Sequence, residues 1–384
     1  MYNRILKPSS NAQQSMFLFG PRGTGKTSWI KANFKNALYF DLLDFYNYQM
    51  FVAHPNRLEQ MIPEKYSGWI IIDEVQKIPE LLNEVHRLIE SKHYKFLLTG
   101  SSARSLRRRG VNLLAGRALT YYMHPFIIQE LGDAFQLTKA LRYGLLPGVY
   151  LSENSEKYLA SYIQTYLREE VLQEGLARNI GNFSRFLEIA SFSQGAVLNY
   201  SEIARESGIS RQAVVNYFTI LEDLLIATHL EPFTKKAKRR IIQHQKFFFF
   251  DVGVFRFLRP KGPLDITEEI DGPALETLFF QSVTAINDYY ELGFKIYYWR
   301  TSDGTEVDFI LYGEKGLFAF EIKRAATITS KMLNGLKSFA KDYPIAKLYL
   351  IFGGKQREYH GNITALSILD ALNNLPSLLS GSTK

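Results

Sequence analysis

Residues Gly20-Pro21-Arg22-Gly23-Thr24-Gly25-Lys26-Thr27 complete the spacing G-x-x-x-x-G-K-[ST]. Apolar Met16-Phe17-Leu18-Phe19 precedes them as a buried strand would, and Ser28-Trp29-Ile30-Lys31-Ala32-Asn33-Phe34 follows as the start of a helix. A strand, a glycine-rich turn and a helix aimed at an anion constrain this part of the chain to an α/β fold. The glycines let backbone N–H groups curl around phosphate oxygens. The helix N-terminus adds partial positive charge. Lys26 is placed to neutralise β- and γ-phosphates, and the Thr27 hydroxyl to ligate Mg²⁺. All eight residues are candidate nucleotide-binding residues, with ATP and Mg²⁺ as the implied cofactors.

Trp69-Ile70-Ile71-Ile72-Asp73-Glu74 is an apolar run ending in two carboxylates. Such runs read as buried parallel strands, and open α/β sheets bind ligands at the carboxyl ends of their strands. Asp73 there can hold the Mg²⁺ water shell. Glu74 is the candidate for polarising an attacking water, an acid that a protein merely holding nucleotide does not need. Phe96-Leu97-Leu98-Thr99-Gly100-Ser101-Ser102 is another such strand, and its Thr99 and Ser101 hydroxyls are candidates for sensing the γ-phosphate. Ala37-Leu38-Tyr39-Phe40 and Leu119-Thr120-Tyr121-Tyr122-Met123 bring the candidate strands to five. Strands alternating with helical patterns predict a parallel sheet with helices on both faces.

The phosphate loop, the I-I-D-E strand, the L-T-G-S-S strand end and the later Leu114-Ala115-Gly116-Arg117 together resemble the AAA+ superfamily. They are most similar to a prokaryotic group in which such an ATPase is fused to a C-terminal domain of formally unknown function. The resemblance implies a sheet of order 5-1-4-3-2 and ATP hydrolysis. It also implies a homo-oligomer with catalytic sites between neighbours, and for Arg117 the role of arginine finger or γ-phosphate sensor. A plain surface arginine is the alternative for Arg117.

The chain has 384 residues and a formal net charge of +8, a weak pointer to polyanion partners. It contains no cysteine. Disulfides, thiol chemistry and Cys-type zinc sites are therefore excluded, and a cytoplasmic location is expected. No run approaches the ~18 apolar residues of a membrane span, so no membrane partner is expected.

Beyond the first 135 residues the reading gives three further parts. Residues 136–187 read as a helical lid or connector, with Gly144 and Pro147-Gly148 as punctuation. Residues 188–260 read as a winged helix. A first helix is capped by Ser201, Gly208 permits a tight turn, and Ser210 caps a second helix, Arg211–Leu225. On that second helix Val214, Val215, Phe218, Leu221, Leu224 and Leu225 share a face. An extended segment from Leu230 and a return strand from Lys246 flank the tip Lys235-Lys236-Ala237-Lys238-Arg239-Arg240, with five cations in six residues. Lys235, Lys236, Lys238, Arg239 and Arg240 suit DNA phosphates. A solvated charge run, or a winged helix used for packing, is the alternative.

Residues 261–384 carry a second chemistry. A helix presents Glu276, and Lys295–Arg300, Glu306–Leu311 and Gly316–Lys323 read as strands. Glu321 and Lys323 stand two apart on one strand, with Asp308 on its neighbour. The set Glu276, Asp308, Glu321 and Lys323 resembles the PD-(D/E)xK nuclease superfamily, with Val307 where the leading proline would stand. That resemblance implies an α/β domain in which Glu276, Asp308 and Glu321 hold Mg²⁺ or Mn²⁺ and Lys323 positions the nucleophile. Two readings follow. One is an ATPase that acts on DNA through a nuclease-like domain. The other is a nucleotide-switched DNA-binding regulator whose nuclease-like domain is silent.

Overall fold

The structure is a computed structural model and describes residues 2–7, 14–101, 114–167, 179–235, 241–262 and 267–381. The chain forms two compact units, Met1–Pro125 with Asp223–Leu225, and Phe126–Glu222 with Ile226–Lys384.

The first unit is built on five parallel strands: β1 (Ser15–Phe19), β2 (Leu38–Asp41), β3 (Trp69–Asp73), β4 (Lys95–Gly100) and β5 (Ala118–Tyr122). Their order is β2-β3-β4-β1-β5, which is the expected 5-1-4-3-2. Phe17, Ile70, Ile72, Phe96 and Leu98 form the centre of the core. Helix Leu81–Lys92 buries Leu81, Leu82, Val85 and Leu88, the three-to-four spacing that puts them on one face. Because all five strands run the same way, β1, β3 and β4 deliver Phe19, Asp73 and Gly100 to one edge.

The second unit is built on an eight-stranded mixed sheet. Its strands are β6 (Ala227–Pro232), β7 (Lys246–Phe249), β8 (Lys295–Arg300), β9 (Glu306–Gly313), β10 (Gly316–Lys323), β11 (Lys347–Phe352), β12 (Glu358–His360) and β13 (Ile363–Ser367), in the order β12-β13-β11-β10-β9-β8-β6-β7. Helices Ile180–Phe192, Tyr200–Ser207 and Arg211–Asp223 lead into the antiparallel β6–β7 pair. Phe186 and Phe218 meet at 4.8 Å and Phe218 reaches Phe247 at 5.0 Å, tying those helices to the hairpin.

The hairpin is not a separate module. β6 also pairs in parallel with β8 through Glu231–Tyr297 and Pro232–Tyr298. The Phe233 N–H continues the ladder by donating to the Tyr298 carbonyl at 2.7 Å. A boundary between residues 260 and 261 therefore runs through one sheet. Nothing in the local sequence marks this, since strand pairing between distant segments is decided by packing.

Both faces of the sheet are covered. Helix Thr267–Tyr289 sets Phe279 against Phe309 and Phe320, and Phe280 against Phe248 and Phe309. Helix Asn334–Asp342 sets Phe339 against Trp299 and Phe233 on a separate cluster. The fully buried Asp251 caps helix Val252–Leu258. It accepts from the Gly253 and Val254 N–H groups and also from Leu145 N–H at 2.8 Å. Its partner segment approaches so closely that a Cβ on Gly253 would lie 2.0 Å from the Tyr143 carbonyl oxygen.

Candidate functional site

The phosphate loop joins β1 to helix Lys26–Asn33. Gly25 caps that helix with φ +94°, a conformation glycine adopts without strain. Gly20 is required for a different reason, since a Cβ there would lie 2.3 Å from the Met123 carbonyl oxygen. Pro21, Arg22 and Gly23 form the turn between them, with Gly23 also at positive φ. Thr24 is buried and its hydroxyl donates to the Pro21 carbonyl at 2.8 Å. The Lys26 ammonium donates to the Gly20 and Pro21 carbonyls at 2.7 and 3.2 Å, folded over the loop where phosphate oxygens would otherwise be its partners.

Asp73 is the hub of the site. Its Oδ2 accepts from the Thr27 hydroxyl at 3.1 Å and from Tyr39, and its Oδ1 accepts from Thr99. The Thr99 hydroxyl in turn accepts the Glu74 N–H at 3.2 Å. Glu74 has φ +61°, a conformation rare for a residue with a side chain and concentrated at functional sites. Its Oε2 accepts from Gln76 at 2.5 Å. Ser101 lies buried just past β4. Thr27 and Asp73 together offer the hard oxygen donors that suit Mg²⁺, and their 3.1 Å contact already brings them to one point.

Three participants escape the motifs. Tyr39, on β2, is held on Asp73, and its hydroxyl pKa is driven far up by burial and by the Asp73 carboxylate. Gln76 holds Glu74. Arg4 donates to the Thr24 and His124 carbonyls at 2.7 and 2.6 Å, bracing the loop from the N-terminal segment. A tyrosine inside the short strand beside the Asp73 strand is the only signal that could have found any of them.

Arg117 does not join this site within its own subunit. It directly precedes β5, whose Ala118 pairs with Ser15 at the amino end of β1. That is the edge of the sheet opposite the phosphate loop, and there Arg117 pairs with Glu90 on the surface. In this structure Arg117 therefore does not face the phosphate loop of its own subunit.

In the second unit Asp308, Glu321 and Lys323 come together, and Glu276 lies within electrostatic range of them. Asp308 Oδ2 accepts the Ile322 N–H at 2.8 Å and lies 3.9 Å from the Lys323 ammonium. Lys323 also contacts Glu321 Oε1 at 2.5 Å. Glu276 reaches toward the same place from helix Thr267–Tyr289, interacting electrostatically with Asp308, Lys246 and Lys323. Burial and the Asp308 charge push the Glu276 carboxyl up to about 8 and raise that of Glu321. Burial opposes the charge on Lys323, but Asp308 and Glu321 outweigh it and raise its pKa.

Two further members were not read from the sequence. Lys246 on β7 pairs with Glu306 and lies 3.7 Å from Asp308 Oδ1, at 3% exposure. Glu306 is also 3.4 Å from Arg300. A lysine opening an all-phenylalanine strand carried a signal that a cation was being drawn into the interior, since isolated buried charges are costly.

Among the described residues, no group of three His, Asp or Glu side chains stands ready to hold a metal ion. The fit to a divalent cation rests on two carboxylates. Asp308 and Glu321 are hard donors, and the buried Glu321 Oε2 has no hydrogen-bond partner. Mg²⁺ keeps much of its water and needs only one or two carboxylates with substrate phosphates. Lys235 is exposed, its ammonium 5.1 Å from the Tyr312 ring. Lys236, Lys238, Arg239 and Arg240 lie outside the described residues. No described helix is long and apolar enough to cross a membrane.

Residues 12–132 match a family described as an AAA domain. Residues 134–265 and 271–370 match two domains of unknown function, DUF8612 and DUF4143. The chain is similar to uncharacterized proteins of Mycobacterium tuberculosis and Mycobacterium bovis, each 26% identical over 297 residues, covering 76% of this chain and 66% of the relative. It thus spans just under two thirds of the length of those relatives. An uncharacterized protein of Haemophilus influenzae is 21% identical over 245 residues, covering 58% of this chain and 61% of the relative. A crystal structure of a Vibrio cholerae protein aligns over 90% of this chain and 97% of its own at 14% identity, with a TM-score of 0.23, too low to bear on the fold. The chain carries an AAA domain, the ATPase type, followed by two segments that match domains of unknown function.

Proposed function

We propose that this protein hydrolyses ATP with Mg²⁺ in its first unit and processes DNA at the carboxylate–lysine cluster of its second. The observation that carries the second half is the contact of Lys323 with Asp308 and Glu321 across two neighbouring strands, with Glu276 on a helix within electrostatic range of them.

In the ATP site Lys26 exchanges its loop carbonyls for β/γ-phosphate oxygens. Thr27 and Asp73 would hold Mg²⁺, Thr99 and Ser101 would face the terminal phosphate, and Glu74 would take the proton of the attacking water. Arg117, on the far edge of the sheet, is left with a role toward a neighbouring copy in a homo-oligomer. In the cluster, Asp308 and Glu321 would hold Mg²⁺ or Mn²⁺, with Glu276 behind them. The bound ion supplies Lewis acidity to a phosphate and a lowered pKa to a water. Lys323 orients that water and offsets charge on the phosphate. The basic run at 235–240 and the net charge of +8 favour a nucleic-acid substrate.

A second reading, a nucleotide-switched DNA-binding regulator, has one observation in its favour. Two ammonium groups already stand against Asp308 and Glu321, and among the described residues no three His, Asp or Glu side chains are grouped to hold a metal ion. Purified protein assayed for ATP hydrolysis, and for cleavage of a panel of DNA forms with Mg²⁺ or Mn²⁺ and with or without ATP, separates the two. Metal-dependent nicking upholds the first. Tight DNA binding without cleavage installs the second, and absence of ATP turnover refutes both.

A further inference from the structure

The cluster contains two places where carboxylates face each other across a lysine, and the two lysines differ. Lys246 lies between Glu306 and Asp308 Oδ1 at 3% exposure, close against Glu306. Lys323 lies between Asp308 Oδ2 and Glu321, and its side chain is 35% exposed. A water-accessible lysine has solvent to move into once a cation takes over its partners. A lysine sealed in the interior has no such exit, and Lys246 stays between Asp308, at 7% side-chain exposure, and the half-buried Glu306. Glu306 and Asp308 stand two apart on β9, so without Lys246 they would themselves form a pair of hard oxygen donors.

We propose that Lys246 is a positioning residue that blocks the Glu306–Asp308 pair and so directs a divalent cation to the Asp308–Glu321 side. This rests on the metal-dependent reading above. Lys246 comes from the hairpin, in the segment 134–265, whereas Glu276, Asp308, Glu321 and Lys323 all lie in 271–370. The site is therefore composite across the two segments, and a fragment starting at residue 271 lacks its permanent cation.

The test is Mn²⁺ titration calorimetry on the full chain, with ATP hydrolysis as the check on folding. In the wild-type background Glu321→Ala should weaken Mn²⁺ binding about 10- to 100-fold, the scale of losses around metal sites. In the Lys246→Met background Glu321→Ala should cost less than about threefold, because the ion then has Glu306 and Asp308. Equal losses in both backgrounds, the additive result, overturn the proposal. Glu306→Gln with Lys246 in place is a gentler second variant. It should leave Mn²⁺ affinity within about twofold, and a tenfold loss overturns the proposal even if Lys246→Met fails to fold. If this pattern holds but no DNA is cut, the cleavage reading fails and the assignment of Lys246 stands. If wild-type protein binds no Mn²⁺, both fall together.

Discussion

Asp73 receives hydroxyls from Thr27, Tyr39 and Thr99, whereas Asp308 stands between the ammonium groups of Lys246 and Lys323. Each is the central carboxylate of its unit. Hydroxyl partners leave the Asp73 charge in place and can rotate away without creating a new charge. Ammonium partners cancel the Asp308 charge and hold each other in a network. The first arrangement accepts a cation by reorienting dipoles, and the second must open an ion pair. A site of the first kind can cycle with every nucleotide; one of the second kind is closed until something supplies a reason to open it.

The sharpest way to break this comparison is Lys26→Ala. It should lower ATP hydrolysis by at least about a hundredfold, the scale seen when one preorganised charge-stabilising group is lost. Mn²⁺ affinity at the second unit should be unchanged. Steady-state turnover and calorimetry on the same preparation check both halves, and a matching fall in Mn²⁺ affinity would show that the two sites are not independent.

Glu74→Gln should retain nucleotide binding and lose turnover by roughly 10²–10⁴-fold, the usual share of a general base. Fluorescent-nucleotide binding beside phosphate release checks this, and wild-type turnover would remove Glu74 from the mechanism.

Asp308→Ala should weaken Mn²⁺ binding about 10- to 100-fold and abolish metal-dependent cleavage, while ATP hydrolysis stays within about twofold. Because it also strands two lysines, the melting temperature should fall; Asp308→Asn, which keeps the shape, separates that loss from the loss of a ligand.

Asp251 sharpens the contrast, being a buried carboxyl answered by N–H groups and no cation. Burial lifts it to about 6, its three backbone donors pulling the other way. The unfolded carboxyl ionises near 3.8, so between about pH 4 and 6 the unfolded chain gives up its proton first and stability falls as pH rises. The contribution is on the order of 2–3 kcal/mol at full ionisation. Urea midpoints for wild type and Asp251→Asn across pH 4–7 should show this slope only in the wild type.

The smallest effect belongs to the basic run. Replacing Lys238, Arg239 and Arg240 with alanine should weaken binding to all DNA sequences alike and reduce the salt slope by about one unit per contact. An unchanged slope assigns those charges to solvent.

How far the sequence could be read follows the same division. The nucleotide site is written contiguously, because a loop, the helix it opens and the strand ends beside it are fixed by local backbone geometry. That the loop Gly20 to Thr27 would meet the strand ends at Asp73 and Thr99 was legible for that reason, and so was the strand order once a family resemblance supplied it. The place of Arg117 was not legible, since a short motif does not reveal which edge of a sheet it will occupy. In the second unit, residues 276, 308, 321 and 323 were legible as a pattern of types. Lys246 and the β6–β8 pairing were not, because they depend on which distant strands meet, and alternation along a strand says nothing of its neighbour.

One backbone angle has a longer reach. At φ +61° residue 74 is where glycine would sit most comfortably, and the chain keeps a glutamate there. A lineage that stopped hydrolysing ATP would gain stability by drifting to glycine at this position. On the role proposed for Glu74, a glutamate kept at this angle marks a position where turnover has outweighed backbone comfort.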